Sequence, residues 1–197
     1  MDTNASPGRA PGKEGSGCFT GCAVALFLFV VLLAWGAHAL EEFEKGLDGR
    51  GQLEQTGVSG SPDDPLGPGV VARYEDGMKV TVGAPRREAD GTYDVTVTYE
   101  NGTDEEVSFR DGPTGGAFEA LEVREGEPSE DHPVGYGLDW LNWRECDSVL
   151  ARPLGAGETR EVPLRVRPSR RGIPATVIVG WPDGTYRDEA YFRLGLD

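Results

Sequence analysis

The sequence predicts a mainly β protein, a single antiparallel β-sandwich preceded by one N-terminal transmembrane helix. Three observations carry this. Cys18 to Leu40 (CFTGCAVALFLFVVLLAWGAHAL) holds no charged residue. Short runs of alternating apolar and polar residues recur from Tyr74 to Leu194, the pattern of strands with one buried face. The chain carries 29 Gly and 14 Pro, a composition that favours many turns over long helices.

Residues 1–17 are rich in Gly, Pro and Ser and lack apolar residues to bury, so they read as a disordered cytoplasmic tail. As a helix, the uncharged run 18–40 would extend roughly 34 Å, enough for a hydrocarbon core of about 30 Å. It contains no proline, and Trp35 near its distal end suits the membrane interface. The lipid bilayer is thus the partner expected of Cys18–Leu40. The alternative is a signal sequence. Gly36-Ala37-His38-Ala39 offers a small-x-small site, which would release a secreted chain after Ala39. Arg9 and Lys13 precede the run and Lys45 and Arg50 follow it, so the Lys/Arg rule does not choose an orientation. Cys18 and Cys22 share a helix face at the boundary, as small apolar residues or as acylation sites. Leu40, Phe43 and Leu47 keep helical spacing, so the helix is expected to continue to 47. Residues 48–73 show no periodicity and read as a flexible stalk.

The expected sandwich spans 74–197. Met78–Val82 alternates, and Tyr93–Tyr99 places Tyr93, Val95, Val97 and Tyr99 on one face. Asn101-Gly102 is a strong hairpin signal, with Val107–Phe109 as the expected return strand. Phe118–Val123 alternates again. Glu161–Val166 turns Val162, Leu164 and Val166 inward, and Pro163 marks an edge. Ala175–Gly180 is a buried run, and Pro182-Asp183-Gly184 turns into the last strand, Tyr186–Leu194. Tyr136, Trp140 and Trp143 interrupt the pattern at i, i+4, i+7, the spacing of one helical face. They form either an aromatic plug or a platform for sugar or peptide.

Three segments carry a resemblance: Tyr74–Val82, Val95–Thr103 with its Asn-Gly-Thr turn, and Leu154-Gly155-Ala156-Gly157-Glu158-Thr159 with the strand behind it. They resemble a family of bacterial extracytoplasmic domains with a telokin-like, immunoglobulin-type sandwich, found in surface lipoproteins and membrane-anchored proteins. The resemblance implies an immunoglobulin-like fold and an external C-terminal domain. It implies no enzymatic activity, so no functional residue is carried over.

The chain holds 34 Asp+Glu against 19 Lys+Arg, a net charge of −15. Such a chain repels phosphate backbones, so no nucleic-acid partner is expected. Cys146 is the one cysteine after the uncharged run and reads as a small buried hydrophobe. His132 lies in the acidic stretch Glu125–Pro133, where contiguous Glu130, Asp131 and His132 converge poorly on a metal. Asp63-Asp64 lacks the alternating acidic partners of a calcium loop. No phosphate-cradling glycine motif occurs. Asn101-Gly102-Thr103 fits the glycosylation sequon as well as a turn. No catalytic residue, cofactor or metal site is expected. The expectation is a membrane-tethered extracytoplasmic binding module at the cell envelope, with an envelope protein or glycan as partner. The alternatives are a carbohydrate or cell-wall binding domain using Tyr136, Trp140 and Trp143, and an envelope hydrolase using paired carboxylates.

Overall fold

Alternating sequence becomes two antiparallel sheets in the computed structural model, which describes residues 27–37, 40, 49, 51–54, 57–110, 120–127, 137–181 and 187–197. The first sheet runs β1 (Val71–Arg73), β2 (Met78–Val82), β4 (Tyr93–Asn101), β7 (Thr159–Arg167), β6 (Asp139–Trp140), with β3 (Arg86–Arg87) also on β4. The second runs β5 (Glu122–Glu125), β8 (Ala175–Val179), β9 (Ala190–Leu194). Every pairing between these strands is antiparallel. Met78, Val80 and Val82 from β2, Val95, Val97 and Tyr99 from β4, and Val162, Leu164 and Val166 from β7 join Val177, Val179, Phe192 and Leu194 in one core. Two sheets sharing one core are consistent with a β-sandwich. Between β6 and β7 the chain forms the helix Trp143–Leu150, which buries Cys146 and Leu150.

The alternating strands β2, β4 and β7 fall where their patterns place them, and the last, expected over Tyr186–Leu194, is confined to Ala190–Leu194. In β4 the even burial of Tyr93, Val95, Val97, Tyr99 and Asn101 follows the period-two rule. β8 is buried throughout, and Thr176 on its second face donates its hydroxyl to the Gly126 carbonyl at 2.7 Å. Pro163 does sit on an edge: β6 pairs only with Val166 and Arg167, and Pro163 lies beyond its reach.

Four expectations change. The stretch 48–73 is not a free stalk. Leu53 bridges Tyr74, Leu66 bridges Phe192 in parallel, and Val71–Arg73 form the first strand. Leu66 is 4% exposed and belongs to the core. Periodicity fails here because each short contact offers one apolar anchor and no repeat.

Asn101-Gly102 does not make a hairpin. β4 already has β2 on one edge and β7 on the other, so no edge is open to a return strand. Asn101 ends β4 itself, and Val107 forms only a bridge to Leu154. Gly102 is needed for a different reason: a Cβ there would come within 2.5 Å of the Gly77 carbonyl oxygen.

Trp140 and Trp143 do not share a helix. Trp140 belongs to β6 and the helix starts at Trp143. The strand foreseen over 118–123 begins at Glu122, after buried Ala120 and Leu121.

At the N-terminus, residues 27–37 are helical with exposed apolar side chains from Phe27 to Trp35. No helix among the described residues is long and apolar enough to cross a membrane. The tail 1–17, the first part of the uncharged run with Cys18 and Cys22, the continuation 41–47, His132, Tyr136 and the Pro182–Gly184 turn lie outside the described residues.

Candidate functional site

Two surface regions gather chemistry-bearing side chains. The first is the corner where β6 meets the helix. After β6, Leu141 donates its N–H to the Arg165 carbonyl at 2.8 Å, and then the backbone leaves the sheet. The side chain of Asn142 continues the pairing in its place. Its Oδ1 accepts the Arg165 N–H at 2.8 Å, and its Nδ2 donates to the Pro163 carbonyl at 2.7 Å. The amide thereby imitates one peptide unit of a neighbouring strand. The Asn142 carbonyl also accepts from Glu145 and Cys146 as the helix begins.

This corner sets the aromatic candidates apart. Trp140 packs partly buried against the core and donates its Nε1 to Asn142 Oδ1 at 3.2 Å. Trp143 is 37% exposed, with the Arg144 guanidinium carbon 5.1 Å from its ring centroid. Leu141 is exposed beside it in sequence. Of these two described tryptophans, Trp143 is the exposed one. Cys146 is buried and free of disulfides, and its thiol donates to the Pro163 carbonyl at 3.0 Å. Burial pushes that thiol up to about 11, with the Trp140 hydrogen bond opposing the shift.

The second region is an open cleft of roughly 560 Å³ between residues 52–62 and the start of β9. Gln52, Leu53, Ser59, Ser61, Pro62, Asp188, Glu189 and Tyr191 line it. The two carboxylates are engaged with neighbours: Asp188 Oδ2 accepts the Leu53 N–H at 3.3 Å, and Glu189 Oε2 accepts the Tyr191 hydroxyl at 2.6 Å. Burial, and then the Glu189 carboxylate, push the Tyr191 phenol up to about 12. Ser59 and Ser61 bond to each other at 2.9 Å, and Asp64 accepts the Ser59 N–H at 2.9 Å. Asp64 therefore shapes a loop. No period or motif in the sequence marks this cleft, because its walls come from opposite ends of the domain.

Around the backbone of Asp188, Tyr74, Trp181 and Arg187 form a polar cluster. Tyr74 donates its hydroxyl to the Asp188 carbonyl at 3.1 Å, and its ring meets Trp181 edge-on at 5.5 Å. Arg187 lies over the Trp181 ring at 4.8 Å and pairs with Asp76 at 2.7 Å, both side chains being 7% exposed. Among the described residues, no group of three or more His, Cys, Asp or Glu side chains is placed to hold a metal ion.

The chain matches no protein-family model and no curated protein. Its structure is similar to the crystal structure of the yjhA protein from Bacillus subtilis, with a TM-score of 0.44 and 13% sequence identity. The match covers 66% of this chain and 98% of that one.

Proposed function

We propose that this protein is a membrane-tethered, non-catalytic binding module whose immunoglobulin-like β-sandwich stands on the extracytoplasmic side of the cell envelope. The observation that carries the reading is the uncharged run Cys18–Leu40 placed ahead of a two-sheet β domain. The exposed apolar side chains of helical residues 27–37 support it, since a helix apolar on all sides is poorly matched to water. External placement is supported by the antiparallel two-sheet architecture together with the family resemblance of Tyr74–Val82 and Val95–Thr103. Loops on such a scaffold supply the recognition surface, for an envelope protein or a glycan.

A glycan reading draws on Trp143, whose exposed ring with Arg144 beside it is the kind of surface that stacks on a sugar face. The hydrolase reading has no comparable observation behind it.

Reporter fusions after Asp197, combined with alkaline extraction of membranes, test the main reading. The expected result is an externally active reporter on a chain that resists extraction. A reporter active only in the cytoplasm, or a chain that extracts freely, overturns it. A mature N-terminus at Leu40 would instead establish cleavage and secretion.

A further inference from the structure

The open cleft at the start of β9 has walls of one electrical sign. They carry the carboxylates of Asp188 and Glu189, the hydroxyls of Ser59 and Ser61, the Gln52 amide and the Tyr191 phenol. No Lys, Arg or His lines the cleft among the described residues. The basic side chains around it are matched elsewhere. Arg187 is buried against Asp76, Arg124 of β5 pairs with Glu122, and Arg193 of β9 pairs with Glu127. Among the described residues, neither cleft carboxylate has an ion-pair partner.

The fold holds both carboxylates in place. Asp188 donates its N–H to the Gly51 carbonyl at 2.9 Å, and its own carbonyl accepts from Tyr74 and Trp181. Its Oδ2 accepts the Leu53 N–H, and Glu189 Oε2 accepts the Tyr191 hydroxyl. Each carboxylate thus uses one oxygen within the domain and keeps the other. The donors of the cleft are largely engaged: the Tyr191 hydroxyl serves Glu189, and Ser59 and Ser61 bond to each other. A fitting ligand must therefore bring donors and positive charge. An anion would be repelled, here and by the net charge of −15 on the chain. A metal ion lacks a third ligating side chain among the described residues. An ammonium or guanidinium group meets the carboxylates in charge-assisted bonds, while its alkyl stem meets Leu53, Pro62 and the Tyr191 ring. An open cleft does not enclose a free small molecule, so the group arrives on a chain.

We propose that this cleft binds a lysine or arginine side chain of a partner protein, with Asp188 and Glu189 as the acceptors. The proposal deepens the binding-module reading and rests on it for its biological setting. The reporter fusions read topology and the titration below reads the cleft, so either can fail without the other.

The test titrates the full chain in non-ionic detergent with Ala-Lys-Ala and Ala-Arg-Ala, both blocked at their termini. Blocked Ala-Ala-Ala, spermidine and a neutral trisaccharide are the comparison probes. Amide resonances are followed by NMR. The Leu53 and Tyr191 amides should shift saturably with the Lys or Arg peptide and stay still with Ala-Ala-Ala. Asp188→Asn with Glu189→Gln keeps a carbonyl acceptor for Leu53 and for Tyr191 while removing both charges. It should weaken binding about tenfold, whereas Asp104→Asn with Glu106→Gln, an equal charge change on an exposed loop, should change it by less than about twofold. No shift at Leu53 and Tyr191 in the parent overturns the proposal. So does an equal loss in the two double variants, which is the mark of diffuse attraction to an acidic chain. Tighter binding of spermidine or of the trisaccharide overturns it as well. Should the cleft variant fail to fold, the parent decides: Leu53 and Tyr191 amides that move no more than the Glu106 amide overturn the proposal.

Discussion

Asn101 closes the end of β4 with its side chain. Its Nδ2 donates to the Glu105 and Leu154 carbonyls, each at 2.8 Å, and its Oδ1 accepts the Thr103 N–H at 3.0 Å. The residue is 1% exposed, so a glycan on that nitrogen is incompatible with this fold. Asn101→Ala is expected to destabilise the domain by about 2–3 kcal/mol, because buried carbonyls lose their donor. Urea denaturation measures it, and Asn101→Asp should do no better, since a carboxylate cannot donate to two carbonyls. Cys146 sets a pH dependence. Its thiol ionises near 9.0 when exposed and near 11 in the fold. Between these values the unfolded chain sheds the proton while the folded chain keeps it, so stability falls as pH rises. Denaturation midpoints across pH 9 to 11 should fall less steeply in Cys146→Ala than in the parent.

At the scale of elements, β2, β4, β7, β8 and β9 were legible because each carries several alternating or continuous apolar residues. The two-residue β3 and β6 are too short for any period to show. The Asn-Gly pair misleads because a local turn preference is overridden when both edges of the preceding strand are taken. Pro163 is read correctly for a physical reason: its lacking N–H costs nothing where a side chain, not a strand, faces it. That side chain is Asn142, and it stands in for a missing strand on β7. Asn142→Ala should therefore cost about 1–3 kcal/mol and raise hydrogen exchange at the Arg165 amide, which loses its acceptor. Exchange at Arg165 unchanged from the parent would show that the amide is held by something else. The cleft and the Tyr74–Trp181–Arg187 cluster were not legible, because residues near 52–76 and 181–191 stand far apart in sequence and meet only in the folded domain.

The whole molecule joins a run of apolar sequence to an acidic domain in which chain outside the sheets covers part of the strand edges. Residues 53–54 pair with the chain at Arg73 and Tyr74, residues 60–66 pair with β9, and Asn142 covers part of β7, which limits edge-to-edge association. The net charge of −15 acts in the same direction, toward mutual repulsion. The antiparallel two-sheet β architecture was readable at this scale from pattern alone, whereas the docking of residues 53–66 on both sheets belongs to long-range packing. Its consequence reaches to proteolytic shedding. For a chain held at its N-terminus, a cut in an ordinary stalk would release the domain at once. Here a protease that opens the backbone at 67–70 leaves Leu66 seated among core residues and its two backbone bonds to β9 in place. The nicked domain would remain on its tether until residues 53–66 let go, so release would follow the rate of their departure and not the rate of cleavage.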